Sequence, residues 1–292
     1  MTSLVVAGRL SPANVGLRDA AERLGVRARL LPPDLAARRR HGDVVLGRVD
    51  VLPTLDGVEP GLDALQRIEQ EGSLVLNRAS ALRCAHDKLA TARALARSGV
   101  AQPATAHARP GASPPAIEPP VVVKPRFGSW GREVVRCETR RELRRTLDAL
   151  ERRPWFRRQG ALVQSLVPTE GEDLRVLVAC GTVVGAIARS AAPGEWRTNV
   201  ALGARRRPAL PSPRARALAI AAAAAVGGDL VGVDLLPVED GYVVLEVNGC
   251  VDFTPEYGID DDDDVFATAL ATLLFPGVRE LAELAAHSHD EL

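Results

Sequence analysis

The sequence predicts a mixed fold in two styles. An N-terminal α/β layer on a mostly parallel sheet is followed by a longer α+β part built from antiparallel hairpins. Three observations carry this. Over residues 4–76, short apolar runs alternate with helix-periodic stretches, a pattern that favours parallel strands covered by helices. Residues 102–120 are rich in proline and alanine and read as a connection. Beyond residue 172, apolar runs come in pairs across Gly181 and across Glu239-Asp240-Gly241, as hairpins do. The 292 residues suffice for two domains, or for one large domain with insertions.

In the first part, residues 4–7 read as a buried strand and 13–24 as a helix stopped by Gly25. Strands are expected at 27–31, 43–49 and 73–76. Between them, 34–40 forms a short helix with Asp34 as its N-cap, and Pro60 opens another helix with Leu62, Leu65 and Ile68 on one face. No Gly-x-Gly-x-x-Gly follows the first strand, which argues against a Rossmann cofactor site. Residues 80–98 read as one long helix, with a domain boundary near Arg83. Next come a strand at 121–124, a loop at 127–131 and a returning strand at 133–136. A helix over 139–152 follows, with Thr139 as N-cap and Glu142 completing a capping box. A strand at 162–167 precedes the first hairpin (173–180 and 183–189). Residues 208–213 are a break, 214–226 a helix, 230–238 and 242–247 the second hairpin, and 261–274 the last helix.

Hydrophobic residues make up 46% and aromatics only 3%, so the core is aliphatic. Acids and bases balance at 37 each, which argues against a generally basic nucleic-acid surface. The arginine runs 38–40 and 205–207 are local patches, most simply solvated faces. Cys84, Cys137, Cys180 and Cys250 form no Cys-x-x-Cys pair, as expected of free thiols in a reducing compartment. No apolar run suits a signal core or a membrane span, so the sequence reads as cytoplasmic and soluble.

Candidate chemistry starts with lysine. Of the 37 basic residues only Lys88 and Lys124 are not arginine. Lysine is a compact point charge and arginine a wide planar fork, so a closely gripped phosphate chain can demand the former. Lys124 ends a strand that runs into Phe127-Gly-Ser-Trp-Gly131. Such a loop can offer backbone N–H groups to phosphate oxygens. It also matches an ordinary glycine hairpin, and both readings stand. With a turn centred on Asp240, Asp234 stands opposite Glu246, and Asn248 shares the face of Glu246. Val233, Leu235, Leu245 and Val247 then point into a core. Opposed carboxylates repel unless a positive charge lies between them, and three hard oxygen donors suit Mg²⁺ that is also held by phosphates. Arg175, Arg189 and Arg197 add cations nearby.

These pieces resemble the ATP-grasp enzymes of the RimK-like glutamate ligase group and the ligases acting on the LysW carrier protein. The resemblance spans residues 77–249. It is carried by His86-Asp-Lys88, Val123-Lys-Pro-Arg-Phe-Gly-Ser-Trp-Gly131, Gly171-Glu-Asp-Leu-Arg175, Trp196-Arg-Thr-Asn199, Gly232-Val-Asp-Leu-Leu236 and Leu245-Glu-Val-Asn248. It implies a three-part ATP-grasp fold: an N-terminal domain over 1–83, a central lobe over 84–160 with the glycine loop, and a C-terminal lobe over 161–292 with the metal hairpin. It implies ATP and Mg²⁺, with Mn²⁺ as a substitute. Lys88, Lys124 and the loop Gly128, Ser129, Trp130 and Gly131 would hold ATP phosphates. The hinge Gln164, Ser165, Leu166 and Val167 would meet adenine, and Asp173 the ribose. Asp234, Glu246 and Asn248 would hold metal. Arg197, Lys124, Arg175 and Asn199 would serve catalysis. The hinge departs from the family's usual Gln-Glu-aromatic, and 205–208 replaces a more usual small-residue run.

The reaction implied is carboxylate–amine ligation through an acyl phosphate. It adds an amino acid such as glutamate to a peptide, carrier protein or small carboxylate. A kinase and a non-catalytic ATP-binding protein are the alternatives. Enzymes of this kind are commonly homodimers or homotetramers; the charge balance and the lack of an apolar span argue for no nucleic-acid or membrane partner.

Overall fold

The computed structural model describes residues 3–258 and 263–275. The chain opens with β1 (Ser3–Gly8), β2 (Arg27–Leu31), β3 (Asp43–Arg48) and β4 (Val75–Leu76), all parallel, in the order β2-β1-β3-β4. The connecting helices are α1 (Pro12–Arg23), α2 (Pro33–Ala36) and α3 (Leu62–Gln70). Ser11 caps α1 through the N–H of Asn14. Asp34 does not cap α2: Pro32 takes that position, and Asp34 lies in the first turn. Gly61, not Pro60, precedes α3.

The helix expected over 80–98 is two helices, α4 (Ala79–His86) and α5 (Lys88–Arg97). Asp87 breaks it, in extended backbone at φ −89°, by accepting the Leu89 N–H at 3.1 Å as N-cap of α5. Arg126 forks onto the same carboxylate, with its Nε at 2.8 Å. Lys88 thereby becomes the first residue of α5.

The second sheet is antiparallel, in the order β5-β8-β6-β7, from β5 (Thr105–Ala108), β6 (Val121–Pro125), β7 (Val135–Cys137) and β8 (Ala161–Ser165). β5 lies inside the stretch expected to be a plain connection. Its Thr-Ala-His-Ala alternation is only four residues long and carried by alanine alone, a poor strand former, and it forms by pairing with β8 as an edge strand. The returning strand starts at Val135 rather than at Glu133, which has φ +54°. Helices α6 (Arg140–Leu150) and α7 (Pro154–Gln159) complete this lobe. Thr139 caps α6 as expected, but Glu142 reaches back to the Glu138 N–H at 2.7 Å, one residue before the cap. The boundary at 83/84 falls within α4, and a cut at 160/161 parts β8 from the strands it pairs with.

The third sheet has the order β11-β10-β9-β12-β13, from β9 (Glu172–Ala179), β10 (Thr182–Ser190), β11 (Arg205–Pro208), β12 (Leu230–Val238) and β13 (Gly241–Asn248). β11 takes in Pro208, the first residue of the stretch expected as a break. Helices α8 (Pro213–Val226) and α9 (Val265–Leu274) follow. Asp264 caps α9; the earlier start expected at Asp261 lies outside the described residues.

One face of this sheet buries Val176, Val178, Val233 and Leu235 against α8 and α5. The other face is divided. At one end Leu177, Ala179 and Leu230 pack with α9, α1 and β1 of the first layer. At the other end the same face is charged, and that end forms the site. Asn77, buried and at φ +53°, joins the layers. Its side chain accepts from the N–H groups of Asp229 and Leu230 and donates to the carbonyls of Leu230 and Gly249. Among the described residues no helix is long and apolar enough to cross a membrane.

Candidate active site

A cleft lies between the second and third sheets. Val122, Lys124, Gln164 and Ser165 wall it on one side, and Asp173, Arg189, Asp234, Leu236, Leu245 and Glu246 on the other. The glycine loop and residues 196–199 close its flank.

Register builds the charged wall. Arg175 pairs with Asp234, Asp234 with Glu246, and Arg189 with Asp173. The sequence placed Asp234 opposite Glu246 correctly, but by a turn that does not exist. Val238 pairs with Gly241, so the turn is one step tighter than assumed, and a bulge beside Asp234 restores the pairing. The bulge also exchanges two side chains. Val244 enters the core, while Leu245, expected there, lines the cleft.

Asp234 is buried and gripped by Arg175, through Nε at 2.6 Å and Nη2 at 2.7 Å, and by Nη2 of Arg189 at 2.9 Å. Burial alone would raise its carboxyl, but the two guanidiniums outweigh it and hold it well below the usual range. Arg189 also forks onto Asp173, which accepts the Thr198 hydroxyl at 2.6 Å. Burial raises the Asp173 carboxyl despite Arg189. The row Arg175–Asp234–Arg189–Asp173 alternates in sign and sums to zero.

The two lysines meet at the cleft. Lys124 is buried, donates to Oε1 of Gln164 at 2.8 Å, and is pushed down to about 8 by burial, against the pull of Glu246. Nε2 of Gln164 in turn donates to Thr105 at 2.9 Å. Lys88 donates to the Gly128 carbonyl at 2.6 Å and lies 3.3 Å from Glu246. At the other end of the loop, Arg197 donates to the Gly131 carbonyl at 2.9 Å while Glu195 holds its guanidinium. The same bonds draw the Glu195 carboxyl down to about 2. Trp130 and Gly131 both have positive φ, and a Cβ on Gly131 would stand 2.6 Å from Oδ1 of Asn199. The loop is thus tied at both ends by cations and leaves no room beside Asn199.

Of the residues singled out from sequence, Lys88, Lys124, Gly128, Ser129, Trp130, Gly131, Gln164, Ser165, Leu166, Val167, Asp173, Arg197, Asn199, Asp234 and Glu246 line the cleft. Arg175 lies behind Asp234, and Asn248 turns its Nδ2 to the Gly232 carbonyl at 3.5 Å. At the hinge, the N–H groups of Ser165 and Leu166 go to the carbonyls of Ala104 and Pro120. Three participants had no assigned role: Arg189, counted only among nearby arginines, Thr198 and Glu195. A symmetric hairpin about Cys180-Gly181 pairs Arg189 with Glu172, and the shift between Val183 and Gly185 moves it to Asp173. Gly185, an isolated glycine within the strand, is the one sequence signal for that bulge. Thr198 and Glu195 lie within or beside the Trp196-Arg-Thr-Asn199 motif, which could have pointed to them.

Among the described residues no three His, Cys, Asp or Glu side chains gather as a metal site. Oδ1 of Asp234 meets one guanidinium nitrogen, and Glu246 has its ion pair with Lys88, so lone pairs remain on both. The donors fit a divalent cation that is completed by phosphate oxygens, not one held by protein alone.

Residues 85–267, more than half of the chain, match the model of the RimK-like ATP-grasp domain. A protein of Citrobacter koseri described as "Probable alpha-L-glutamate ligase" is 36% identical over 242 residues, covering 80% of this chain and 75% of its own. A "Ribosomal protein bS6--L-glutamate ligase" of Escherichia coli O1:K1 is 34% identical, with the same coverage. The crystal structure of a RimK domain ATP-grasp protein from Sphaerobacter thermophilus superposes with a TM-score of 0.66 at 22% identity, over 94% of this chain and all of that one.

Proposed function

The chain belongs to the RimK-like ATP-grasp family, and from that premise we propose that it adds an amino acid, glutamate first among the candidates, to a peptide or protein carboxylate. It is a carboxylate–amine ligase of the ATP-grasp fold. In the proposed reaction a carboxylate oxygen of the acceptor bonds to the γ-phosphorus of ATP and ADP leaves. The amine nitrogen then bonds to the acyl carbon, phosphate leaves, and the amine gives up a proton. No protein nucleophile is required.

The observation that carries this reading is the convergence of both lysines of the chain on one cleft, at the mouth of the glycine loop and beside Glu246. Lys88 and Lys124 hold phosphate oxygens as compact cations. When bound, Mg²⁺ on Glu246, Asn248 and Asp234 offsets charge on the transferred phosphoryl group. Lys88 has three N–H donors, so it can meet a bound phosphate while keeping its bond to the Gly128 carbonyl. Arg197 and Asn199 stand on the acceptor side, and the tied loop keeps water from the acyl phosphate. Gln164 orients Lys124, and the hinge backbone faces adenine.

The test is ADP release from Mg-ATP across the amino acids, each with and without glutamate-ended peptides, followed by mass spectrometry. ADP matched by a mass gain of one amino acid less water is the expected result and identifies the substrate. A stable phosphate adduct in its place would make the protein a kinase and overturn the proposal.

A further inference from the structure

The arginine run 205–207 plays no part in the cleft, yet it forms β11, the edge strand of the third sheet. All four residues of β11 are exposed. Its arginines alternate between faces. Arg206, opposite Arg189, is tied to Glu256 on the cleft side. Arg205 and Arg207, opposite Ser190 and Ala188, share the other side, and neither has an ion pair among the described residues. A hollow beside Arg207 is lined by Leu174, Leu210, Pro237 and Tyr242, with Leu210 72% exposed, and also by Glu172 and Asp173, whose carboxylates accept from Ser190 and Arg189. Among the described residues β11 pairs only with β10; the Ala209 N–H bonds inward to Ala186, so by alternation the outward edge offers the N–H and carbonyl of Arg206 and the carbonyl of Pro208, which has no N–H.

Charge on an edge strand ordinarily serves to prevent pairing. The arrangement here fits one kind of pairing as well. Arg205 and Arg207 are two residues apart in extended chain, about 7 Å, the spacing of acids at alternate positions of an added strand. Like charges on one face favour such a partner and reject a basic one. The hollow receives an apolar side chain.

We propose that β11 docks an extended acidic peptide segment with carboxylates at alternate positions, which adds to the sheet through main-chain hydrogen bonds and pairs with Arg205 and Arg207. This rests on the reading that the acceptor is a peptide or protein. The position suits it: β11 lies one strand spacing, about 4.8 Å, from the strand that carries Arg189 into the cleft, and residues 199–204 join the cleft wall to Arg205.

The test is fluorescence anisotropy without nucleotide, in about 0.15 M salt, with fluorescein-labelled (Thr-Glu)4. Three probes accompany it: a Thr4Glu4 block peptide, a (Thr-Glu)4 methylated on alternate backbone nitrogens, and a U8 RNA. The alternating peptide should bind most tightly, and R205E/R207E should weaken it roughly tenfold, since two exposed attractions become repulsions. Equal binding by the block or methylated peptide would reduce the contact to diffuse charge and overturn the proposal. Unchanged affinity in R205E/R207E, or tighter binding of U8, would do so too. Ligation of a single glutamate acceptor is measured alongside and should be equal in the wild type and R205E/R207E. Ligation with no docking sinks this proposal alone; docking with no ligation sinks the ligase reading alone.

Discussion

Arg189→Met removes the cation that joins the two buried carboxylates of the cleft. The side chains of Arg189, Asp173 and Asp234 are 4%, 0% and 3% exposed. Asp234 keeps both bonds from Arg175, so its charge stays compensated. Asp173 keeps only the Thr198 hydroxyl at 2.6 Å. One buried carboxylate is left without a counter-ion, a change that costs about 3–5 kcal/mol. Adding Asp173→Asn removes that charge at nearly equal volume. The double variant should therefore recover most of the loss, with a coupling of about 2–3 kcal/mol. The pH dependence has a definite sign. Burial already raises the Asp173 carboxyl, and without Arg189 it rises further, so the native state binds the extra proton. Stability of Arg189→Met is then fullest below the unfolded carboxyl value, about 3.9, and is lost as pH rises through the raised native value. Urea unfolding of the four proteins of the cycle at pH 5 and pH 8 measures both effects. A loss under about 1 kcal/mol in Arg189→Met, or losses that simply add, would refute the account of the charged row.

Lys124 titrates near pH 8, so in the free protein nucleotide affinity should fall as pH rises through 8, and Lys124→Met should bind weakly with a flat profile, read by calorimetry. The same lowered value makes the unfolded chain bind the extra proton between pH 8 and the ordinary lysine value, so stability should rise with pH across that window. Glu246→Gln, at a half-buried position, should fold normally but lose on the order of 100-fold in Mg-ATP turnover, a charge-stabilisation effect; a Mg²⁺ titration of ADP release that matches wild type would remove Glu246 from the metal set. Gly131→Ala puts a methyl 2.6 Å from Oδ1 of Asn199 at φ +70° and should cut kcat roughly tenfold while lowering Tm by only a few degrees; stopped-flow ADP formation at wild-type rate would show that the loop's fit against Asn199 is dispensable.

The parallel layer and both hairpins were legible because each carries its period and its turn residues in one stretch of chain. Lys88, Lys124, Asp234 and Glu246 stood out by residue type and spacing, and all four line one cleft. What escaped depends on partners distant in sequence. β5 takes its form from β8, and nothing within Thr-Ala-His-Ala demands a strand. The break at Asp87 arises because capping α5 and binding Arg126 outweigh one continuous helix. Of the two bulges, the one that sets Arg189 on Asp173 is flanked by Gly185, a strand glycine that hints at it, while the one that sets Glu246 on Asp234 adds a residue without any glycine or proline to announce it. One of them moved Leu245 out of the core, where alternation alone had placed it.

The scarcity of lysine makes the cleft separately addressable. Apart from the chain's own amino terminus, the amines of this protein are the two in the cleft, and one of them is already largely unprotonated a little above pH 8. A reagent selective for neutral amines, such as an activated ester or an aldehyde followed by reduction, therefore labels the amino terminus and the nucleotide-facing wall, two sites that peptide mapping separates, while the arginine side chains stay untouched. Occupancy of the cleft can be followed by how slowly the label arrives.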